Sequence, residues 1–280
     1  MLVPRLVLGL ILGYLVLVFL AWLFQERIAF PSPRTFLPDP GKVGIPEGER
    51  ITLTMRDGTR LAGWYLPPQQ PFTALHRPPP PSPALLWFYG NGETIGAIWP
   101  ILRDFHPPGT ALLVMDYPGY GGSDGRATEA GLYDAADLAY EALAARPEVD
   151  GTRIFVYGRS LGSAVATRTA VRHPVAGLIL ESPFTSAREM SRQHYGIFPS
   201  FILRLGLDNL GRMPEIRCPL LVFHGTADRL VPTAMGQALA AAAPGPAELV
   251  LIEGAGHNDT YDVGGKAYRK KLAQFVVGLR

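Results

Sequence analysis

Short, unbroken apolar runs recur along the second half of this chain and beyond: Ala84–Tyr89, Ala111–Met115, Ile154–Tyr157, Val175–Leu180, Leu220–Phe223 and Leu249–Ile252. They do not alternate with polar residues, which predicts strands buried on both faces. Segments of helical character lie between them. One ends near Phe105, and others cover Ala127–Ala145, Ser160 to about Arg172, Pro232–Ala242 and Gly265–Val277. Strands alternating with helices predict an α/β fold, a mostly parallel sheet covered by helices on both faces. Ahead of them, Arg50–Met55 and Arg60–Leu66 flank Asp57–Gly58 and read as a hairpin joined to the same sheet. Sites in such sheets gather at the carboxyl ends of the strands. That rule singles out the loops after Tyr89, Asp116, Tyr157, Leu180, Phe223 and Ile252.

The first segment has a different pattern. From Leu6 to Phe24 the chain is uncharged and apolar, interrupted only by Gly9, Gly13 and Tyr14. At about 1.5 Å per residue this stretch spans roughly 30 Å, a bilayer core. Trp22 and Phe24 suit the interface, and Gln25–Glu26–Arg27 ends the run. A cleaved signal peptide is the rival, but the run is long for one and lacks a small-x-small cleavage site. Residues 1–25 are therefore expected to be a single-pass, uncleaved membrane anchor, with arginines on both flanks leaving the side of the membrane open. Residues 26–48, rich in Pro and Gly after Phe30, read as an extended tether and 49–280 as one domain. Within it, 67–83 is a proline-rich exposed connection and 184–217 leaves room for a small lid. The lid's apolar cluster, Phe198, Phe201, Ile202, Leu203 and Leu205, is expected to pack over the sheet edge.

Composition changes the picture only by exclusion. With 280 residues the chain can bury a large core, and its net charge of +2 argues against a dedicated nucleic-acid binder. The single cysteine, Cys218, leaves no intramolecular disulfide and no Cys-cluster metal site, and reads as a buried small hydrophobe. Neither a metal-ligand spacing nor a phosphate loop ending in Lys is present, so no cofactor or metal is expected.

The candidate chemistry lies in three of the site-forming loops. Ser160 occupies a G-x-S-x-G setting, Gly158–Arg159–Ser160–Leu161–Gly162, between a strand and a helix. A nucleophile on such a sharp turn needs glycines two before and two after, and the N–H of Leu161 at the helix start would face a developing oxyanion. A serine hydroxyl needs an adjacent base, and that base needs a carboxylate to fix its tautomer. Asp228 follows the strand Leu220–Phe223, and His257 follows Leu249–Ile252. The order Ser160, Asp228, His257 is the one found in hydrolases built on this kind of sheet. The other histidines have plainer readings. His76 and His106 sit in Pro-rich loops and read as solvated, His173 as a helix-end residue, His194 as part of the lid, and His224 as a packed strand-end residue. Asp116 ends a strand ahead of Ser160 and reads as tying the following turn. Asp259 and Asp262 lie too close in sequence to His257 to orient it.

With these residues in hand, the chain resembles the α/β-hydrolase superfamily, specifically the membrane-anchored BEM46-like and ABHD13/ABHD17-like serine hydrolases. The likeness runs from about Phe24 to the C-terminus. It is carried by Arg27–Pro31, Asp57–Gly58, Tyr89–Gly92, Asp116–Ser123, Gly158–Gly162, Glu181–Phe184, His224–Asp228 and Gly256–Asn258. The resemblance implies Ser160 as nucleophile, Asp228 as orienting acid, His257 as base, and backbone N–H groups of Asn91 and Leu161 as the oxyanion hole. Tyr89 departs from the pattern, standing where the family usually has His, and is expected to support the loop rather than react. The expected function is hydrolysis of a carboxylic ester or thioester, from a small-molecule or lipid substrate, through an acyl-enzyme at the membrane. A serine peptidase or amidase on the same fold and a non-catalytic membrane scaffold are the alternatives.

Overall fold

The computed structural model describes residues 2–68 and 80–278. Most of the proline-rich connection, with His76, lies outside the described residues. The chain opens with α1 (Leu2–Ala29), whose most apolar 18 residues, within Pro4–Ala29, have a mean hydropathy of 2.7 and are not buried. By length and composition it can cross a bilayer. Residues 30–48 are extended but not free. Phe30, Leu37 and Ile45 are buried in the domain, Trp64 Nε1 donates to the Pro38 carbonyl at 3.1 Å, and Gly121 N donates to the Pro33 carbonyl at 2.8 Å.

The hairpin β1 (Glu49–Thr54) and β2 (Arg60–Leu66) comes next, followed by β3 (Ser82–Phe88), α2 (Ile95–Phe105) and β4 (Ala111–Met115). Then come α3 (Glu129–Ala144), β5 (Val149–Arg159), α4 (Leu161–Arg172) and β6 (Gly177–Glu181). The 184–217 region holds α5 (Ala187–His194), 3-10 turns and the single-turn α6 (Asn209–Arg212). The chain closes with β7 (Leu220–Gly225), α7 (Thr233–Ala242), β8 (Ala247–Ile252) and α8 (Thr260–Gly278), the last kinked at Gly265, whose φ is 49°.

The eight strands form one sheet in the order β1-β2-β4-β3-β5-β6-β7-β8. The pairs β1/β2 and β2/β4 are antiparallel and all the others parallel. The apolar runs behave as their pattern requires, with every residue of β3, β4, β6 and β7 buried. Helices α3 and α4 pack together on one face. On the other, Phe105 of α2 meets Tyr261 and Tyr268 of α8 edge-on at 5.2 and 5.3 Å, and Tyr268 stacks on Phe223 of β7 at 3.9 Å.

This strand order places the site. From β3 the chain crosses to β4 on one side, whereas from β5 it moves to β6 on the other. Adjacent parallel strands whose connections leave in opposite directions open a crevice above their carboxyl ends. Phe88 pairs with Gly158 at that point, so the loop carrying Asn91 and the turn carrying Ser160 face each other across it.

Candidate active site

Ser160 sits between β5 and α4 with φ 49° and ψ −114°, a conformation that costs a non-glycine residue about 1–3 kcal/mol. Its neighbours force the turn. A Cβ on Gly158 would collide with the Gly162 carbonyl and the Ala166 side chain, and one on Gly162 would collide with the Phe88 carbonyl. Only glycine at both positions lets α4 start this close to the sheet. Ser160 N donates to the Glu181 carbonyl at 2.9 Å, and Ser163 Oγ donates to the Ser160 carbonyl at 2.6 Å.

Two further loops close on this turn. The segment after β7 and the segment after β8 are zipped together: Ala227 N donates to the Ala255 carbonyl at 2.9 Å and Gly254 N to Thr226 Oγ1 at 2.9 Å. Asp228 is fixed by its own loop, its Oδ1 accepting from Leu230 N at 2.9 Å and Val231 N at 2.8 Å. Its Oδ2 faces His257 Nδ1 at 2.8 Å, and His257 Nε2 lies 3.0 Å from Ser160 Oγ. An ionised carboxylate only accepts, so Nδ1 carries the proton and Nε2 presents its lone pair to the serine hydroxyl. Burial works to raise the Asp228 pKa, but hydrogen bonds from His224, His257 and the Val231 N–H outweigh it and hold the carboxyl well below its ordinary range. The arrangement can accept a proton from Ser160 and stabilise the resulting imidazolium.

Comparison with known proteins bears on the whole chain. The family profile described as serine aminopeptidase, S33, matches residues 79–207. The uncharacterized protein Rv2307c of Mycobacterium tuberculosis is 36% identical over 259 residues, covering 91% of this chain and 88% of that protein. Human alpha/beta hydrolase domain-containing protein 17B is 35% identical over 168 residues, covering 59% of this chain and 56% of the human one. Among solved structures, a Pyrococcus furiosus esterase superimposes with a TM-score of 0.69 at 18% identity, over 89% of this chain and 97% of the esterase. The chain belongs to one family with Rv2307c and is an α/β-hydrolase.

In this α/β-hydrolase the Asn91 side chain is already occupied. Its Oδ1 accepts from Tyr120 Oη at 2.7 Å and its Nδ2 donates to the Ala29 carbonyl at 2.7 Å, pinning the loop to the end of α1. Gly92 has φ +76° and Glu93 Oε2 accepts from Gly90 N at 2.6 Å, so this short loop turns sharply beside Ser160. Leu161 opens α4, where first-turn N–H groups have no helical partner. Tyr89 is wholly buried; its hydroxyl donates to Asp116 Oδ1 and accepts from Tyr117 N, both at 3.0 Å. Asp116 also accepts from Ile95 N and Gly122 N, tying both flanking turns.

The residues sequence reasoning passed over surround these loops. Arg159, the variable residue of the serine turn, is 7% exposed and joins three of them. It pairs with Glu93 of the Asn91 loop and donates through Nη2 to the His257 carbonyl at 3.0 Å and to Asn258 Oδ1 at 2.8 Å. Its Nε lies 3.5 Å from Glu181 Oε1 at the end of β6. Glu181 is fully buried and bonded to Tyr157, Thr260 and Tyr268 hydroxyls. Burial, opposed by the Thr260 and Tyr268 hydroxyls, pushes its pKa up to about 8. His224 is a packed core residue as read, yet it also touches the site: Nε2 donates to the Val231 carbonyl at 2.9 Å and lies 3.5 Å from Asp228 Oδ2.

Of the remaining described histidines, His106 departs from its reading. His106 is half-buried against the Thr110 carbonyl at 2.6 Å rather than solvated, and burial lowers its pKa. His173 pairs with Asp137 at 2.8 Å and stacks on Tyr140, bridging α3 and the end of α4. His194 donates to the Leu230 carbonyl at 2.8 Å and so clips α5 to the Asp228 loop.

Proposed function

We propose that this serine-type α/β-hydrolase cleaves a carboxylic ester or thioester through an acyl-enzyme, with Ser160 as nucleophile, His257 as base and Asp228 as orienting acid. The observation that carries the reading is the continuous line from Ser160 Oγ through His257 to Asp228, with steps of 3.0 and 2.8 Å. His257 Nε2 takes the hydroxyl proton as Oγ attacks the carbonyl carbon. The N–H groups of Leu161 and Asn91 receive the oxyanion. Collapse expels the alcohol or thiol, which takes the proton from His257. Water, deprotonated by the same nitrogen, then attacks the acyl carbon and releases the acid with Ser160 restored. Helix α1 would hold the domain at a bilayer as an uncleaved anchor, none of its most apolar stretch being buried.

A fluorophosphonate probe is expected to label the wild type and not Ser160→Ala, and p-nitrophenyl esters from acetyl to palmitoyl would then place the acyl-length optimum. Failure of the folded wild type to label would move the scaffold reading forward. The profile described as a serine aminopeptidase supports an amidase as a second reading. Turnover of aminoacyl p-nitroanilides at a rate matching the esters would favour it.

A further inference from the structure

The lid's apolar cluster packs only in part as its sequence predicts. Leu203 and Leu205 rest on the core, but Phe201 is 81% exposed, Ile197 65% and Tyr195 53%. Their segment is not loose, because it is bonded along the side of α1. Tyr14 Oη donates to the Ile197 carbonyl at 2.7 Å, and Gln25 Nε2 donates to the Ile202 carbonyl at 3.3 Å. Gln25 Oε1 accepts from Arg204 N at 2.6 Å, and Arg204 Nη2 donates to the Trp22 carbonyl at 3.1 Å.

We propose that residues 195–202 form a second membrane-contacting element, which inserts Ile197 and Phe201 among the lipid acyl chains beside α1. The proposal rests on the reading of α1 as a bilayer helix and adds to it that the catalytic domain itself enters the leaflet. The level of the membrane surface can be read from the helix. Arg204 lies 4.8 Å from the Trp22 ring and Arg27 lies 5.7 Å from the Phe24 ring. Such cation–aromatic pairs, with Gln25 and Glu26 beside them, belong at headgroup depth. Tyr14 is then about 16 Å further along the helix, at about 1.5 Å per residue. Ile197, bonded to Tyr14, shares that depth as far as helix tilt allows.

Irregular backbone survives in an apolar medium only where its polar groups have partners. Here α1 supplies partners for the Ile197 and Ile202 carbonyls. Tyr14 is the one hydroxyl in the apolar run of α1, and Gln25 is the first polar residue after it. Both donate to lid carbonyls, and Gln25 also donates to the Trp22 carbonyl of its own helix at 2.9 Å. Within the lid, Phe198 N donates to the Tyr195 carbonyl at 2.9 Å and Ile202 N to the Pro199 carbonyl at 3.1 Å, while Pro199 has no N–H to satisfy. A lid destined for water would need none of the bonds to α1, and three large exposed side chains within seven residues, Tyr195, Ile197 and Phe201, exceed the scattered apolar residues of an ordinary surface. The occupant is thus a lipid surface continuous with the one that surrounds α1.

The test uses full-length chain in phosphatidylcholine–phosphatidylglycerol vesicles. Cys218, the only cysteine, is replaced by Ala, and a spin label is placed at Leu15→Cys, Phe201→Cys or, as an aqueous control, Lys266→Cys. Matching thermal melts check that the variants fold. Collision with oxygen against a water-soluble nickel complex reports depth. Labels at 15 and 201 are expected to favour oxygen, and the label at 266 to favour nickel. If position 15 favours oxygen and position 201 favours nickel, the lid proposal falls and the anchor stands. If both favour nickel, the anchor reading falls and takes the lid with it. Spin–spin broadening at 201 that disappears on dilution with unlabelled chain would show a second copy on the patch, and would also overturn the proposal.

Discussion

Arg159→Lys tests whether the serine turn holds the two loops that flank it. The substitution keeps the charge in a buried site but replaces a planar fork by a point donor. In the native chain the guanidinium reaches Glu93 on one side, and the His257 carbonyl and Asn258 Oδ1 on the other. An ammonium on a flexible stem can serve one side only. Hydrogen bonds to charged groups contribute about 1.5–3 kcal/mol each. Losing the two into the histidine loop therefore frees about 3–6 kcal/mol of restraint on the residues that carry the base. Misplacement of a reacting group by about 1 Å costs roughly 10²-fold. The expected result is a fall in kcat of about 10²-fold, close to 2.7 kcal/mol in the barrier, with KM little changed.

The assay is steady-state hydrolysis of p-nitrophenyl butyrate alongside a thermal melt, which separates a loosened site from an unfolded one. Glu93→Gln and the double variant complete a cycle. Arg159 and Glu93 are in direct contact, so the double variant is expected to lose less than the product of the single losses. A folded Arg159→Lys enzyme with kcat within about twofold of wild type would refute the reasoning, because two bonds to the histidine loop would then carry no positional weight. Losses that multiply would mean that Arg159 does not act through Glu93.

Asp228→Asn presents an amide N–H to His257 Nδ1 and selects the wrong tautomer, so ester kcat is expected to fall by on the order of 10³–10⁴-fold in a chain that still folds. Intact turnover would exclude Asp228 as the orienting acid. Glu181 has a folded pKa of about 8, above its ordinary value of 4.5, so the stability tied to its neutral form is present below about 4.5 and is lost as pH rises through about 8. Glu181→Gln is expected to flatten that part of the curve, read as the difference between wild-type and variant melting temperatures from pH 4.5 to 8; parallel curves would count against it. Gly158→Ala is expected to destabilise by about 1–3 kcal/mol or more through its collision with the Gly162 carbonyl, and an unchanged melt would show that the turn has slack.

The strands were legible because burial on both faces leaves an unmistakable run of apolar residues. Ala111–Met115 matches the observed β4 end for end, and the other strands agree to within a few residues. The register and order of the sheet were not legible. Nothing local in Ala111–Met115 says that it crosses behind β3 to pair with β2, yet that crossing makes the crevice between the Asn91 loop and Ser160. The residues proposed as the triad could be read for the opposite reason. Each lies just past a strand end, in a glycine-flanked loop whose composition is hard to explain by packing. The docking of the extended tether was not legible, because Pro and Gly mark irregular backbone without saying whether it is packed. Phe30 and Leu37 were the available signal, two large apolar residues that an exposed segment has no reason to carry.

Arg159 and Glu181 were the hardest to see, and the reason is physical. A buried charge is recognisable by its partner, and here the partners lie far apart in sequence: Glu93, Asn258 and Thr260 come from loops after other strands. The pattern of apolar positions reports what is hidden from water but is silent about which polar group completes which. Such a network forms only once strand order has set the loops side by side, so it carries information about tertiary structure that no local window holds. It also puts charge where the site can least tolerate disorder. The Asn91 loop and the His257 loop approach Ser160 from opposite sides and are not bonded to each other directly. Arg159, fixed next to the nucleophile, reaches both. One buried guanidinium thereby links the group that would receive the oxyanion to the group that would move the proton, and the sheet needs no covalent tie to keep them in step.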